Sequence, residues 1–156
     1  MTAPNTPFQL MEVPDPVAGK GEAVARVLSC GAGLTIQHIR AGRMKVDYPR
    51  IIGHEITAEI VEVGAGVREL RAGDPVTAYY YLTCGSCRWC RSDRETLCDN
   101  LGGNIGRDID GGYAEYIKLP ANSYIKLPEG LDHRAHAAEI GVATDAIATP
   151  VKLVNN

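Results

Sequence analysis

Cys84-Gly85-Ser86-Cys87-Arg88-Trp89-Cys90, followed by seven residues and then Cys98, is the stretch whose reading decides how the chain is organised. Each Cys-x-x-Cys step can turn the backbone so that two thiolates face one point, and the longer excursion returns a fourth. Four sulfurs at about 2.3 Å from a Zn²⁺ ion make a closed tetrahedron with no open coordination position. Such a site holds a loop and performs no chemistry. Gly85 relieves crowding in the first turn, and Arg88 and Arg91 lie close to a cluster of net negative charge. Two disulfides, or a redox-active Cys-x-x-Cys pair, are the alternative uses of these thiols. Disulfides need an oxidising compartment, and nothing in the sequence implies secretion. A structural zinc held by Cys84, Cys87, Cys90 and Cys98 is the favoured reading.

Working outward, a chain of 156 residues suits one domain and is long enough to bury a core. The formal net charge of −3 argues against nucleic acid or an anionic membrane as a partner. The N-terminus, Met-Thr-Ala-Pro-Asn-Thr-Pro, has neither the basic segment nor the apolar run of a signal peptide. No apolar stretch is long enough to span a bilayer. A cytoplasmic protein is therefore expected, in which thiols meet metal before they meet one another.

The glycines and prolines are spread along the chain, which favours short strands and turns over long helices. Strands are expected at Phe8 to Val13, Glu22 to Cys30, Glu55 to Val63, Val76 to Leu82, Tyr113 to Leu119 and Ile125 to Leu127. Thr35 is placed as the N-cap of a short helix that runs through Ala41 and stops at Gly42. Thr149-Pro150 reads as a second helix start. Only six residues follow it, too few for a helix to persist alone. The chain is thus expected to end at a domain boundary: residues 1–148 form the domain, with its lobe at 84–98, and residues 149–156 begin an interdomain helix.

The order of motifs is more specific than any one of them. Gly53-His54-Glu55, Val61-Glu62-Val63-Gly64, Gly73-Asp74-Pro75-Val76, the four-cysteine lobe and Gly111-Gly112-Tyr113-Ala114-Glu115-Tyr116 follow in sequence. From about Phe8 onward the chain resembles the GroES-like catalytic domain of the zinc-containing alcohol dehydrogenases, in the medium-chain dehydrogenase/reductase superfamily. The resemblance implies a mainly β fold, a partly open β-barrel with short helices and a protruding zinc lobe. It also implies a second, nucleotide-binding Rossmann domain, which these residues do not supply. The triplets Gly19-Gly21, Gly31-Gly33 and Gly64-Gly66 each lack the third glycine of a dinucleotide fingerprint, the position being Val24, Ile36 and Glu69. NAD(P) binding is expected only where a Rossmann domain is present.

The resemblance further implies a reaction centre. Cys30-Gly31-Ala32-Gly33-Leu34-Thr35-Ile36-Gln37-His38 is similar to the family's Cys-Gly-Val-Cys-x-Thr-Asp-x-His run. Thr35 and His38 then fall at the proton-relay positions, His54 and Glu55 at the middle metal-ligand motif, and Asp145 at the third ligand position. In the family an ion held there acts as a Lewis acid on the substrate oxygen. Gly33, however, stands where the first ligand Cys would be, and Ile36 where an Asp would orient the ligand His. The catalytic zinc is weakened accordingly. Two substitutes are conceivable: Cys30, three residues early, or a reduced set of His54, Glu55 and Asp145. Glu55 has a plainer reading as the partner of Arg40 or Arg43. His133 and His136, three apart, are expected on one helix face in solvent, and Trp89 is expected to pack within the lobe.

The function implied is the substrate-side domain of an alcohol dehydrogenase-like oxidoreductase, taking a small alcohol or carbonyl substrate and incomplete without its nucleotide-binding partner domain. The alternative is a free-standing zinc-stabilised binding domain without redox activity. Under either, an apolar face near Ala143 to Val154 favours self-association into a homo-oligomer.

Overall fold

The computed structural model describes the backbone of residues 1–154 and the side chains of residues 1–151. Its centre is a five-stranded antiparallel sheet in the order β4-β1-β2-β3-β5. The strands are β1 (Glu22–Cys30), β2 (Ile56–Val63), β3 (Pro75–Ala78), β4 (Tyr116–Pro120) and β5 (Tyr124–Lys126). β1 has register shifts at Val24/Ala25 and Val27/Ser29, and irregularities of this kind bend a strand and raise its twist. The two edge strands, β4 and β5, are consecutive in the chain, so the sheet must curl to bring them together. Tyr124 of β5 marks the closure: its hydroxyl donates to the Ile117 carbonyl of β4 at 2.9 Å and lies 3.4 Å from the Ala23 carbonyl. Burial pushes the Tyr124 phenol well above its ordinary pKa, so it remains a donor.

Side chains explain the curl. β4 alternates, with Ile117 and Leu119 inward and Lys118 outward. Small residues on the inner face, Ala23, Ala25, Ala58 and Ala78, let the sheet close tightly around Ile56, Ile60, Ile105 and Leu119. Each large aliphatic side chain so buried stabilises the fold by about 1.5–3 kcal/mol. From Ile56 to Ile60, β2 is buried on both faces. Its outer face carries Thr57 and Glu59, and their partners come from the C-terminal segment and, for Glu59, also from Arg26 of β1. Thr57 Oγ1 donates to the Ala137 carbonyl at 2.7 Å. Glu59 receives Arg26, Arg134 and His133, each at 2.7 Å.

That segment continues as α2 (Ala137–Val142), a π turn (Ala143–Ile147) and α3 (Ala148–Val154). The helix expected to begin at Thr149 thus starts at Ala137 and passes through Thr149, whose hydroxyl donates to Asp145 Oδ1 at 2.8 Å. Thr149 caps nothing. Gly141 is where α2 meets the sheet: a Cβ there would lie 2.7 Å from the Glu55 carbonyl oxygen. Val142, Ile147 and Val151 are exposed, in the stretch where an uncovered apolar face was expected. Asn155 and Asn156, the last residues of the expected interdomain helix, lie outside the described residues.

Three further expectations change. Phe8 to Val13 is not a strand; Pro7, Pro14 and Pro16 flank it, and Phe8, Leu10, Met11 and Val13 are exposed. The strand after Asp74 stops at Ala78, because from Tyr79 the chain turns toward the lobe. The helix α1 (Leu34–Arg40) is capped by Gly33, leaving Thr35 inside its first turn. α1 buries Ile36 and Ile39 against Val46 and Ile52 in a second, smaller core, which Met1, Met44, Tyr48 and Tyr113 border. Among the described residues no helix is long and apolar enough to cross a membrane.

Candidate reaction centre and metal lobe

The lobe leaves the barrel after Leu82 and returns at Gly102. Leu82 and Gly102–Gly103 exchange backbone hydrogen bonds of 2.7 and 2.9 Å, and Tyr81 bridges Asn104. Between these points lie two short 3-10 turns, Cys90–Ser92 and Glu95–Leu97. Gly85 takes a positive φ of 69°, as the tight first turn requires. The sulfurs converge: Cys84 and Cys90 are 3.9 Å apart, Cys87 and Cys90 3.5 Å, Cys87 and Cys98 4.0 Å. A tetrahedron with metal–sulfur bonds of about 2.3 Å has edges of about 3.8 Å, whereas a disulfide needs about 2.05 Å. The four thiols are free and spaced to hold a zinc ion. Backbone N–H groups of Ser86 and Cys87 hold the Cys84 thiol down to about 5, while burial and the neighbouring sulfurs push Cys90 up to about 12. Trp89 packs within the lobe as expected, donating to Asp99 at 3.1 Å under the Arg88 guanidinium, 4.6 Å from its ring centre.

The second site forms where β2 begins. Gly53 adopts a φ of 98°, and any Cβ there would lie 2.6 Å from the Tyr113 ring and 2.7 Å from Cys30 Sγ. Only glycine fits, and the turn it makes places His54 and Glu55 in the interior, 4% and 3% exposed. His54 Nε2 lies 3.1 Å from Asp145 Oδ2, the carboxylate presented by the π turn. The Tyr80 ring covers the imidazole, with centroids 4.5 Å apart, and burial raises the pKa of its phenol. Tyr80 was not singled out from the sequence; its signal was the run of three consecutive tyrosines.

Glu55 turns toward the Gly31–Gly33 loop. A Cβ on Gly33 would lie 3.2 Å from Glu55 Oε1, and one on Gly31 would collide with Oε2. The plainer reading of Glu55 fails, because among the described residues no arginine pairs with it; Arg43 donates to His38 Nδ1 at 2.9 Å. Cys30 joins no convergent donor group among the described residues: its sulfur packs beside Gly53 and Gly112, and burial pushes the thiol up to about 12. Thr35 and His38 sit on α1, with no hydrogen bond from either to His54, Glu55 or Asp145 among the described residues. Of the sequence-derived set, the structure therefore joins His54 to Asp145, sets Glu55 against the loop, and leaves Thr35 and His38 apart. His133 and His136 share no helix: both precede α2, and His133 is bonded to Glu59 and withdrawn from solvent.

Comparison with known proteins agrees with this architecture. Residues 19–129 match the family described as the alcohol dehydrogenase GroES-like domain. An alcohol dehydrogenase of Geobacillus stearothermophilus is 41% identical over 128 residues, 80% of this chain and 38% of that protein. An L-threonine 3-dehydrogenase of Streptomyces avermitilis is 40% identical over 130 residues, 79% of this chain and 37% of that protein. The crystal structure of the alcohol dehydrogenase from the hyperthermophilic archaeon Aeropyrum pernix superimposes with a TM-score of 0.85 at 32% identity, covering 96% of this chain and 44% of that one. The chain spans less than half the length of each.

Proposed function

Because this chain belongs to the alcohol dehydrogenase GroES-like domain family, we propose that it is the substrate-side domain of an NAD(P)-dependent oxidoreductase that interconverts a small alcohol and its carbonyl. The observation that carries this reading is the His54–Asp145 pair: a buried imidazole and a carboxylate brought together from the start of β2 and the π turn. Handling an alcohol's proton is served by such a pair, since a carboxylate fixes the orientation of the imidazole. Tyr80 on one side excludes water from the imidazole. Thr149, bonded to Asp145 Oδ1, leaves Oδ2 for His54. Thr35 and His38, half-buried on the neighbouring helix, are proposed as the outward proton route by the resemblance alone, since neither is hydrogen-bonded to His54 or Asp145 among the described residues.

Hydride transfer needs a nicotinamide, and this sequence has no glycine fingerprint to hold one. The exposed apolar residues Val142, Ile147 and Val151, next to Asp145 in the chain, suit the docking of a nucleotide-binding domain. The lobe cysteines Cys84, Cys87, Cys90 and Cys98 would hold a structural zinc, which supplies folding free energy to the lobe and no chemistry.

Joining these residues to the nucleotide-binding domain of the Geobacillus relative and following nicotinamide absorbance with primary and secondary alcohols tests the proposal. Turnover that disappears with His54→Ala supports it. A folded chimera that binds nucleotide and oxidises no alcohol returns the chain to the binding-domain reading.

A further inference from the structure

The family pattern implies a second, catalytic zinc at His54 and Asp145, and the residues present do not fit one. Such an ion needs three protein ligands with a fourth position open to substrate. Gly33 offers no side chain. Cys30 keeps its sulfur among Gly53, Gly112 and Ile56. The Glu55 carboxylate lies against Gly31 and Gly33 and does not close a set with His54 and Asp145: among the described residues, the four lobe cysteines are the one group of three or more donors that converge. His54 and Asp145 are instead each other's partners at 3.1 Å. Ile36, where a carboxylate would steady the ligand imidazole, is buried among aliphatic side chains. Two ligands without a third, and without an orienting hydrogen bond, hold zinc weakly.

From this disagreement we infer that the His54–Asp145 centre holds no resident zinc, and that the vacancy at Gly33 is the reason, so that a cysteine introduced there rebuilds a three-ligand site. The backbone permits the change. Gly33 has φ −66° and ψ 178°, an extended conformation open to any residue. The atoms nearest a new Cβ are the Glu55 carboxylate oxygens, at 3.2 and 3.4 Å, the far end of a flexible side chain that can withdraw by a few tenths of an ångström. The inference goes beyond the oxidoreductase reading and does not need it, since metal content is measured without hydride transfer.

The test is elemental analysis of the zinc-loaded, desalted chain. The wild type should carry about one zinc, His54→Ala the same, Cys98→Ser about none, and Gly33→Cys about two, the second lost again when His54→Ala is added. The His54 ring resonances should stay in place when zinc is added to the wild type and shift in Gly33→Cys. A wild-type chain that binds two zinc ions, the second lost with His54→Ala, overturns the inference; so does Gly33→Cys that folds and gains none. A lobe that bound no ion would lower the wild-type, His54→Ala and Gly33→Cys counts by one each and leave the difference between wild type and Gly33→Cys intact. Should Gly33→Cys not fold, the wild-type count and the His54 resonances still decide whether a resident zinc is there.

Discussion

His54 Nε2 and Asp145 Oδ2 meet at 3.1 Å although 91 residues separate them in the chain. The contact joins the first buried turn of β2 to a π turn, and π turns are frequent at functional sites because they re-aim a side chain off the regular helical path. In the enzyme completed by a nucleotide-binding domain, Asp145→Ala should lower kcat/KM by about 10²-fold or more. Thermal unfolding should change little, since the Asp145 side chain is 39% exposed. Unaltered kcat/KM in a folded variant would remove the pair from the chemistry.

Glu59 gathers three cationic or polar partners on the outer face of β2. Burial acts to raise its pKa, but hydrogen bonds from His133, Arg134 and Arg26 outweigh it and pull the carboxyl down to about 2 from an ordinary 4.5. The folded state therefore binds this proton less readily than the unfolded chain, and the stabilisation is complete above the unfolded value. It should be lost as pH falls from about 4.5 toward about 2. Glu59→Gln should reduce stability at neutral pH by about 1–3 kcal/mol and flatten that acid limb. Denaturant titrations at a series of pH values read both effects; an unchanged acid limb would show that Glu59 is not the group responsible.

The lobe carries almost no buried apolar surface of its own, so removal of its metal should unfold it selectively. Chelation, or Cys98→Ser, should expose residues 84–98 to limited proteolysis while amide protection in β1 and β2 persists. Loss of protection throughout the barrel would instead make the lobe part of the cooperative core.

Gly106 and Gly66 both have positive φ, 74° and 88°, but differ in surroundings. A Cβ on Gly106 would come within 2.7 Å of the Gly53 backbone, while one on Gly66 meets nothing within 4 Å. Gly66→Ala should cost about 1 kcal/mol from backbone strain alone. Gly106→Ala adds a clash, should cost about 1–3 kcal/mol more, and should also displace His54, because Gly53 cannot give way without moving its neighbour. Melting temperatures and the His54 ring resonances separate the two effects; equal melting temperatures would mean that the loop around Gly106 shifts freely.

Much of this architecture was legible in the residues. β1 has the expected bounds, because a run of Ala and Val lies between Gly21 and Gly31, which end it on either side. The cysteine spacing announced a converging cluster, since the turns it needs are local. His54 and Asp145 were placed together only through the resemblance to known dehydrogenases. Nothing in the local pattern of either residue points across the fold. Long-range polar contacts escaped in the same way: His133 looks solvated beside Asp132 and Arg134, and only the paired sheet shows that Glu59 waits beneath it. Thr149 misled because Thr-Pro is a strong local helix start, whereas the preceding π turn already supplies the helix. Phe8 to Val13 has strand-like composition and no neighbouring strand to pair with.

The cysteine lobe leaves and re-enters the barrel at touching points, with Leu82 hydrogen-bonded to Gly102 and Gly103. Mechanically it is a cassette: because its two ends meet, a change in its length or surface need not shift the register of the five-stranded ladder. A tag or an altered contact loop spliced between Thr83 and Leu101 would therefore report on what approaches this flank without disturbing the interior behind it.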